Sequence, residues 1–262
     1  MKITVNHSEE LKNIDGLWTY EKPFAEGDCI EICADTNYIH LKIDNHLRAS
    51  IVYLPEKRMC FHVPAGDRLA AYPPGAFTKV PHVIACREAE AHEICEYRNL
   101  ALNPADQRGQ SNYFPHADAN FVTKDLPYFE SRNAIDGFCQ NKGHGTFPYQ
   151  SWGGGNRDDL EYHLDFGRPV LIDKAVLYLR SDDTANELGE LHDTYWNHIS
   201  VKFSDDTALA LSPVKTDAPQ IFTWKEKCVT NLTLCNLVRD KSFPNRGFAA
   251  LVQIEIYGKD AI

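Results

Sequence analysis

The stretch LEYHLDFGRPVLIDKAVLYLR, Leu160 to Arg180, decides the fold class. Its opening alternates strictly: Leu160, Tyr162, Leu164 and Phe166 fall on one side of an extended chain, and Glu161, His163 and Asp165 on the other. Such a segment makes a strand with one buried and one wetted face. After D-F-G-R-P, the run IDKAVLYLR is again rich in β-branched and aromatic residues. The same style recurs downstream in HISVKFS, TALALSP, QIFTWKE, TNLTLCNLV and AALVQIEIYG, and upstream in DCIEICA, YIHLKID, ASIVYLP, MCFHVPA and HVIACRE. In DCIEICA, Ile30 and Ile32 share one face and Cys29 and Cys33 the other. Helical periodicity is scarce. REAEAHEICE, from Arg87 to Glu96, fits a brief helix, a strand or a connector, and Gly66, Pro73, Pro74, Gly75 and Pro81 exclude a long helix between 64 and 81.

Short strands with turn signals every ~8–12 residues point to an all-β chain built of antiparallel sandwiches rather than a βαβ sheet. A chain of 262 residues accommodates two such units. The style changes near EYRNLALNP, Glu96 to Pro104, which places an N-terminal β-sandwich of unassigned family at 1–97 and a second β-sandwich at 98–262.

Apolar residues at 43% and charged residues at 24% exclude a disordered or collagen-like chain. Thirty-seven acids against 27 bases leave a net charge of -10, which argues against nucleic acid as a partner. No apolar run approaches the ~20 residues of a spanning helix, so no membrane span is expected. The N-terminus lacks the apolar core of a secretory signal, and eight cysteines lie scattered, several in apolar strand contexts as small hydrophobes. Together these point to a cytoplasmic location. Nucleophile elbows, phosphate-binding loops, dinucleotide turns and zinc-protease helices do not occur.

Five ordered pieces resemble discoidin domains, also called coagulation factor five/eight type C domains: RNLALNP (98–104), SRNAIDG (131–137), the 160–180 stretch with its D-F-G-R-P turn, ISVKFSDDT, and LVQIEIYG (251–258). The resemblance implies a galactose-binding-like jelly roll over roughly 98–258. Its bacterial members are most often carbohydrate-binding modules, so the implied partner is a carbohydrate. It also implies a structural calcium behind the A-I-D-G turn. Asp136 matches the expected carboxylate, Phe138 stands where a side-chain oxygen is expected, Asn141 or Thr146 offers a substitute, and Gln253 replaces the usual terminal-strand Glu. No other cofactor is required.

Sugar recognition needs an aromatic face for the sugar's C–H surface and planar polar groups for its hydroxyls. Two loops supply both. YQSWGGGNRDD, 149–159, carries Trp152, Asn156 and Arg157; the long connection from Arg180 to His198 carries Arg180, Asp182, His192, Asp193 and Trp196. A bacterial subgroup of the family shows a similar L-R, H-D and aromatic-Trp arrangement. Trp152 or Trp196 is the expected stacking platform, with Arg157, Arg180, His192 and Asp193 as hydrogen-bonding partners. Each tryptophan also reads as a plug at the end of the sandwich, and Arg180 with Asp182 or Asp193 as a structural ion pair. The expected function is noncatalytic carbohydrate binding. The alternatives are a sugar-active enzyme working through the loop His and Asp residues, and a protein-interaction or scaffolding subunit. Oligomeric state is left open.

Overall fold

Side-chain burial follows the alternation of the 160–180 stretch. Leu160, Tyr162, Leu164 and Phe166 are buried, Glu161 is exposed, and His163 and Asp165 are half-buried. A computed structural model describes residues 1–182, 194–240 and 248–261, and it is all-β. In chain order the first strands are β1 (Lys2–Val5), β2 (Glu9–Glu10), β3 (Lys12–Ile14), β4 (Leu17–Tyr20), β5 (Cys29–Cys33), β6 (Tyr38–Lys42), β7 (Ser50–Tyr53), β8 (Arg58–His62) and β9 (His82–Glu88). They form two antiparallel sheets, β2-β1-β5-β8 and β3-β4-β9-β6-β7. Ile3, Ile30, Ile32 and Phe61 from the first face Trp18, Ile39, Val52 and Ile84 from the second in one apolar core. The segment after β9 resolves into a five-residue helix, α1 (Ala91–Cys95), closed at its start by reciprocal bonds between Glu90 and Glu93.

The second part holds β10 (Arg98–Asn99), β11 (His116–Ala119), β12 (Trp152–Gly153), β13 (Tyr162–Leu179), β14 (Trp196–Phe203), β15 (Ala208–Leu211), β16 (Gln220–Arg239) and β17 (Ala250–Asp260). Their order is β10-β17-β13-β16-β14-β15, with β11 beside β13 and β12 beside β17. The D-F-G-R-P segment, expected as a turn, lies instead inside one 18-residue strand. Its register against β16 slips between Asp165 and Val170. Gly167 there takes a φ of +67°, and Pro169 has no N–H for the ladder, so the strand bulges without ending. Side chains from both segments of β13, and from β14, β16 and β17, enclose a second core that includes Trp152, Trp196, Phe166, Leu177, Leu232 and Ile254.

The two parts are tied together closely. The chain joins the second sheet at residue 98, where Arg98 pairs with Gly258, yet Ala105 and Tyr113 pack in the first core. Tyr53 and Phe114 exchange backbone hydrogen bonds of 2.8 and 2.9 Å. At the join, the Asp260 carboxylate accepts from Arg168 Nε, from Arg98 Nη2 at 2.6 Å and from the Tyr38 hydroxyl at 2.9 Å.

Two cysteine expectations change. Cys29 and Cys60, neighbours on the outer face of β5 and β8, form a disulfide with Cα atoms 6.2 Å apart. Alternation places them on the face opposite the buried isoleucines, where they meet each other instead of the core. Cys86 in HVIACRE is a buried hydrophobe as expected, but Cys33 in IEICAD, expected to be one too, is exposed, because alternation puts it on the face opposite Ile30 and Ile32. Cys235 is also buried, and Cys95 and Cys228 are exposed.

Candidate ligand-binding site

Trp152 and Trp196, one from each of the two segments singled out by sequence, meet at one end of the second core, but both face inward. β12 and β14 are strands whose alternation sends Trp152 and Trp196 between the sheet walls, where they are 0% and 1% exposed. The two indoles stack on each other, centroids 5.7 Å apart, and Tyr162 closes on Trp152 at 5.1 Å. Trp152 donates its indole N–H to the Phe121 carbonyl at 3.0 Å. A stacking platform needs an open ring face, and neither indole offers one; both are plugs, and the platform expectation is corrected for both.

Directly outside Gly153 lies a cavity of about 400 Å³, bordered by Thr123, Lys124, Tyr128, Phe129, His144, Thr146, Arg180 and Phe248. Gly153 makes room for the Phe129 ring at its edge: a Cβ there would sit 3.0 Å from that ring. Tyr128 meets Phe129 edge-on at 4.8 Å, and both rings are half-buried. They are held by the Pro127–Phe129 turn, which starts on proline with its φ already set. Arg180, at the end of β13, is 3% exposed; its Nη2 donates to the Phe248 carbonyl, which fixes the guanidinium at the cavity wall. Buried Asp182 bonds His144 Nδ1 at 2.6 Å, leaving the imidazole 40% exposed at the rim. Aromatic rings, a fixed guanidinium and an oriented imidazole therefore border one opening. That combination suits a ligand with an apolar face and several hydroxyl groups.

Among the sequence-predicted residues, Arg180 and Asp182 belong to this site, the latter through His144. Asn156 and Arg157 are taken up elsewhere: Asn156 Oδ1 accepts from Arg239 at 2.8 Å, and Arg157 pairs with Asp159 while its guanidinium lies 4.9 Å from the centroid of the Phe121 ring. His192 and Asp193 lie outside the described residues. Tyr128, Phe129 and His144 were not singled out by sequence. The adjacent aromatic pair behind a proline in DLPYFES was their one visible signal.

The residues expected around a calcium are engaged otherwise. Asp136 accepts from Gln150 Nε2 at 2.9 Å and from the Phe138 N–H at 2.8 Å. Gln253 Oε1 accepts from the Gly137 N–H at 3.1 Å, and Asn141 Nδ2 donates to the Leu179 and Asp217 carbonyls, both at 3.0 Å. Calcium wants six to eight oxygens with several carboxylates. Here one carboxylate faces N–H donors, whose positive ends repel a cation, so the donor set does not fit calcium. Burial pushes the Asp136 carboxyl up to about 6, although Arg132 and the two hydrogen bonds work against that rise.

No known family profile matches this sequence, and no curated protein is similar to it. Solved structures are similar in fold at low identity. A selenomethionine-labelled variant of chitosan-binding module 1 from a Paenibacillus sp. IK-5 chitosanase/glucanase has 15% identity and a TM-score of 0.43, over 62% of this chain and 100% of that one. A family 32 carbohydrate-binding module of C. perfringens NanJ, solved with galactose, has 11% identity and a TM-score of 0.38, over 54% and 91%. A Streptococcus pneumoniae fucose-binding module has 15% identity and a TM-score of 0.39, over 62% and 98%.

Proposed function

We propose that this chain binds a carbohydrate, without catalysis, in the cavity outside Gly153. The observation that carries the proposal is the convergence of half-buried Phe129 and Tyr128 with the fixed Arg180 guanidinium and the His144–Asp182 pair. The rings offer an apolar face for a pyranose, and the cationic groups offer donors to its hydroxyls. The described lining residues include no carboxylate, whereas glycoside hydrolysis calls for two across the scissile bond. Glycan-array screening followed by calorimetric titration tests the proposal. Affinity in the millimolar to micromolar range, about -4 to -8 kcal/mol, is expected. Phe129→Ala and His144→Ala should each weaken the selected sugar at least tenfold, about 1.4 kcal/mol. An array with no retained glycan, or both variants binding like wild type, would refute it.

A further inference from the structure

We infer that Cys29, Cys60 and His62 form a zinc site that opens when the Cys29–Cys60 bridge is reduced. The placement follows from strand register. In the antiparallel pair β5/β8, Cys29 stands opposite His62 and Glu31 opposite Cys60. Ile30, Ile32, Met59 and Phe61 occupy the alternate positions and point into the core, so Cys29, Cys60 and His62 share the outer face. Their ligand atoms all lie within 4.8 Å of one another, the one such group of three His, Cys, Asp or Glu side chains among the described residues. A strand pair holds such a group without help from a loop, because direct and diagonal neighbours on one face lie within side-chain reach.

The chemistry of the three donors selects the ion. Two sulfurs and an imidazole suit a borderline-soft tetrahedral ion, and zinc sites with three protein ligands leave the fourth position to water. The His62 backbone is fixed on both sides by Gln107, which accepts from its N–H at 2.8 Å and donates to its carbonyl at 2.7 Å, while the imidazole stays exposed. His62 also borders a second cavity of about 470 Å³ between the two parts of the chain, so its side of the group is open to solvent. Glu31, on the same face, is held away by His7 at 2.5 Å and Thr4 at 3.2 Å.

The bridge sets the condition. As a disulfide the two sulfurs are bonded to each other and offer no thiolate. Two external thiols supply two electrons and two protons, become a disulfide themselves, and leave Cys29 and Cys60 as thiols. Zinc then displaces one proton from each sulfur as the two zinc–sulfur bonds form.

Cobalt(II) provides the probe, since a tetrahedral thiolate site gives intense visible bands and a near-ultraviolet sulfur-to-cobalt band that zinc abolishes. The full-length chain is titrated anaerobically after phosphine reduction and, in parallel, in its oxidised form. One cobalt per reduced chain, none per oxidised chain, and bleaching by one equivalent of zinc are expected. His62→Ala, a surface change, should weaken cobalt at least tenfold, and Cys60→Ser, which leaves one sulfur, should at least halve the sulfur-to-cobalt band. Cys33→Ser and Cys95→Ser should change neither. Reduced wild type without the tetrahedral spectrum, or an unchanged spectrum in His62→Ala, overturns the inference. So does equal binding by the oxidised chain.

Discussion

Replacing Asp260 by asparagine tests whether the join between the two parts of the chain is electrostatic. The Asp260 side chain is 1% exposed and receives Arg168, 5% exposed, and Arg98, 17% exposed. Tyr38 from β6 donates to the same carboxylate. Arg168 also lies over the Tyr38 and Tyr53 rings, 5.4 and 5.3 Å from their centroids. The substituted amide would keep the shape and one acceptor but turn an N–H₂ group toward two guanidinium groups. Breaking a buried pair from one side costs ~3–5 kcal/mol, because the remaining charge is left uncompensated. Arg98 is partly solvated, so the lower end applies, about 3 kcal/mol. For a chain of this size that lowers Tm by roughly 6–12 °C. Burial by itself raises the Asp260 pKa, but Arg168 and Arg98 outweigh it and hold the carboxyl below its ordinary value of 3.8. A depressed pKa lends stability that is fully present above 3.8 and is lost as pH falls through the lower native value. The gap between wild type and Asp260→Asn is therefore full at neutral pH and narrows in acid. Urea unfolding at pH 7 and at successively lower pH measures both. A gap under about 0.5 kcal/mol at pH 7, the size of an ordinary surface change, would refute the reasoning.

Gly258→Ala should destabilise by at least about 3 kcal/mol, since its Cβ would lie 2.0 Å from the Leu171 carbonyl oxygen, and backbone cannot rotate away; thermal melting checks it. Asp136 behaves oppositely to Asp260. With its pKa raised to about 6, its favourable contribution is complete below 3.8 and is lost as pH rises through about 6. Wild type should therefore gain up to about 3 kcal/mol relative to Asp136→Asn between pH 7 and pH 4, and unfolding midpoints that stay parallel would contradict this. Millimolar calcium or a chelator should leave Tm unchanged, because N–H donors already occupy the oxygens of Asp136 and Gln253; a rise of several degrees with calcium would show that those donors give way.

Strand-level structure was legible because burial acts on alternate residues. The Leu160–Phe166 pattern and the Ile30–Ile32 face both emerge as read, as does the all-β class. What continues or ends a strand was less legible. D-F-G-R-P has the composition of a turn, yet neighbouring strands on both sides hold β13 together across it. Local composition cannot report that support. The disulfide shows the same limit: alternation put Cys29 on the outer face, but the register that brings Cys60 beside it is a property of strand pairing. The site was half legible. Arg180, conspicuous in sequence as a strand-ending arginine before a long loop, lines the candidate cavity, and Asp182 reaches it through His144, which only that contact makes relevant.

The glycine run 153–155 shows why the tryptophan expectation failed although the run borders the candidate cavity. Glycines beside an aromatic residue suggest close approach of a ligand to backbone, and the indole looks like its partner. Here the close approach is made by the protein's own side chains. A Cβ on Gly153 would press on Phe129, and one on Gly154 would strike Leu160 at 2.5 Å. The missing side chains let a neighbouring turn settle onto β12, and that turn brings Phe129 and Tyr128 to the opening. Trp152 then fills the space behind the strand and stacks on Trp196, so the aromatic floor and the buried plug are opposite faces of one two-residue strand. It follows that Gly153→Ala should displace Phe129 and weaken sugar binding while leaving the stacked indoles in place. Tryptophan fluorescence would then match wild type as calorimetric affinity falls. A variant that lost indole packing and affinity together would mean that floor and plug are not separable.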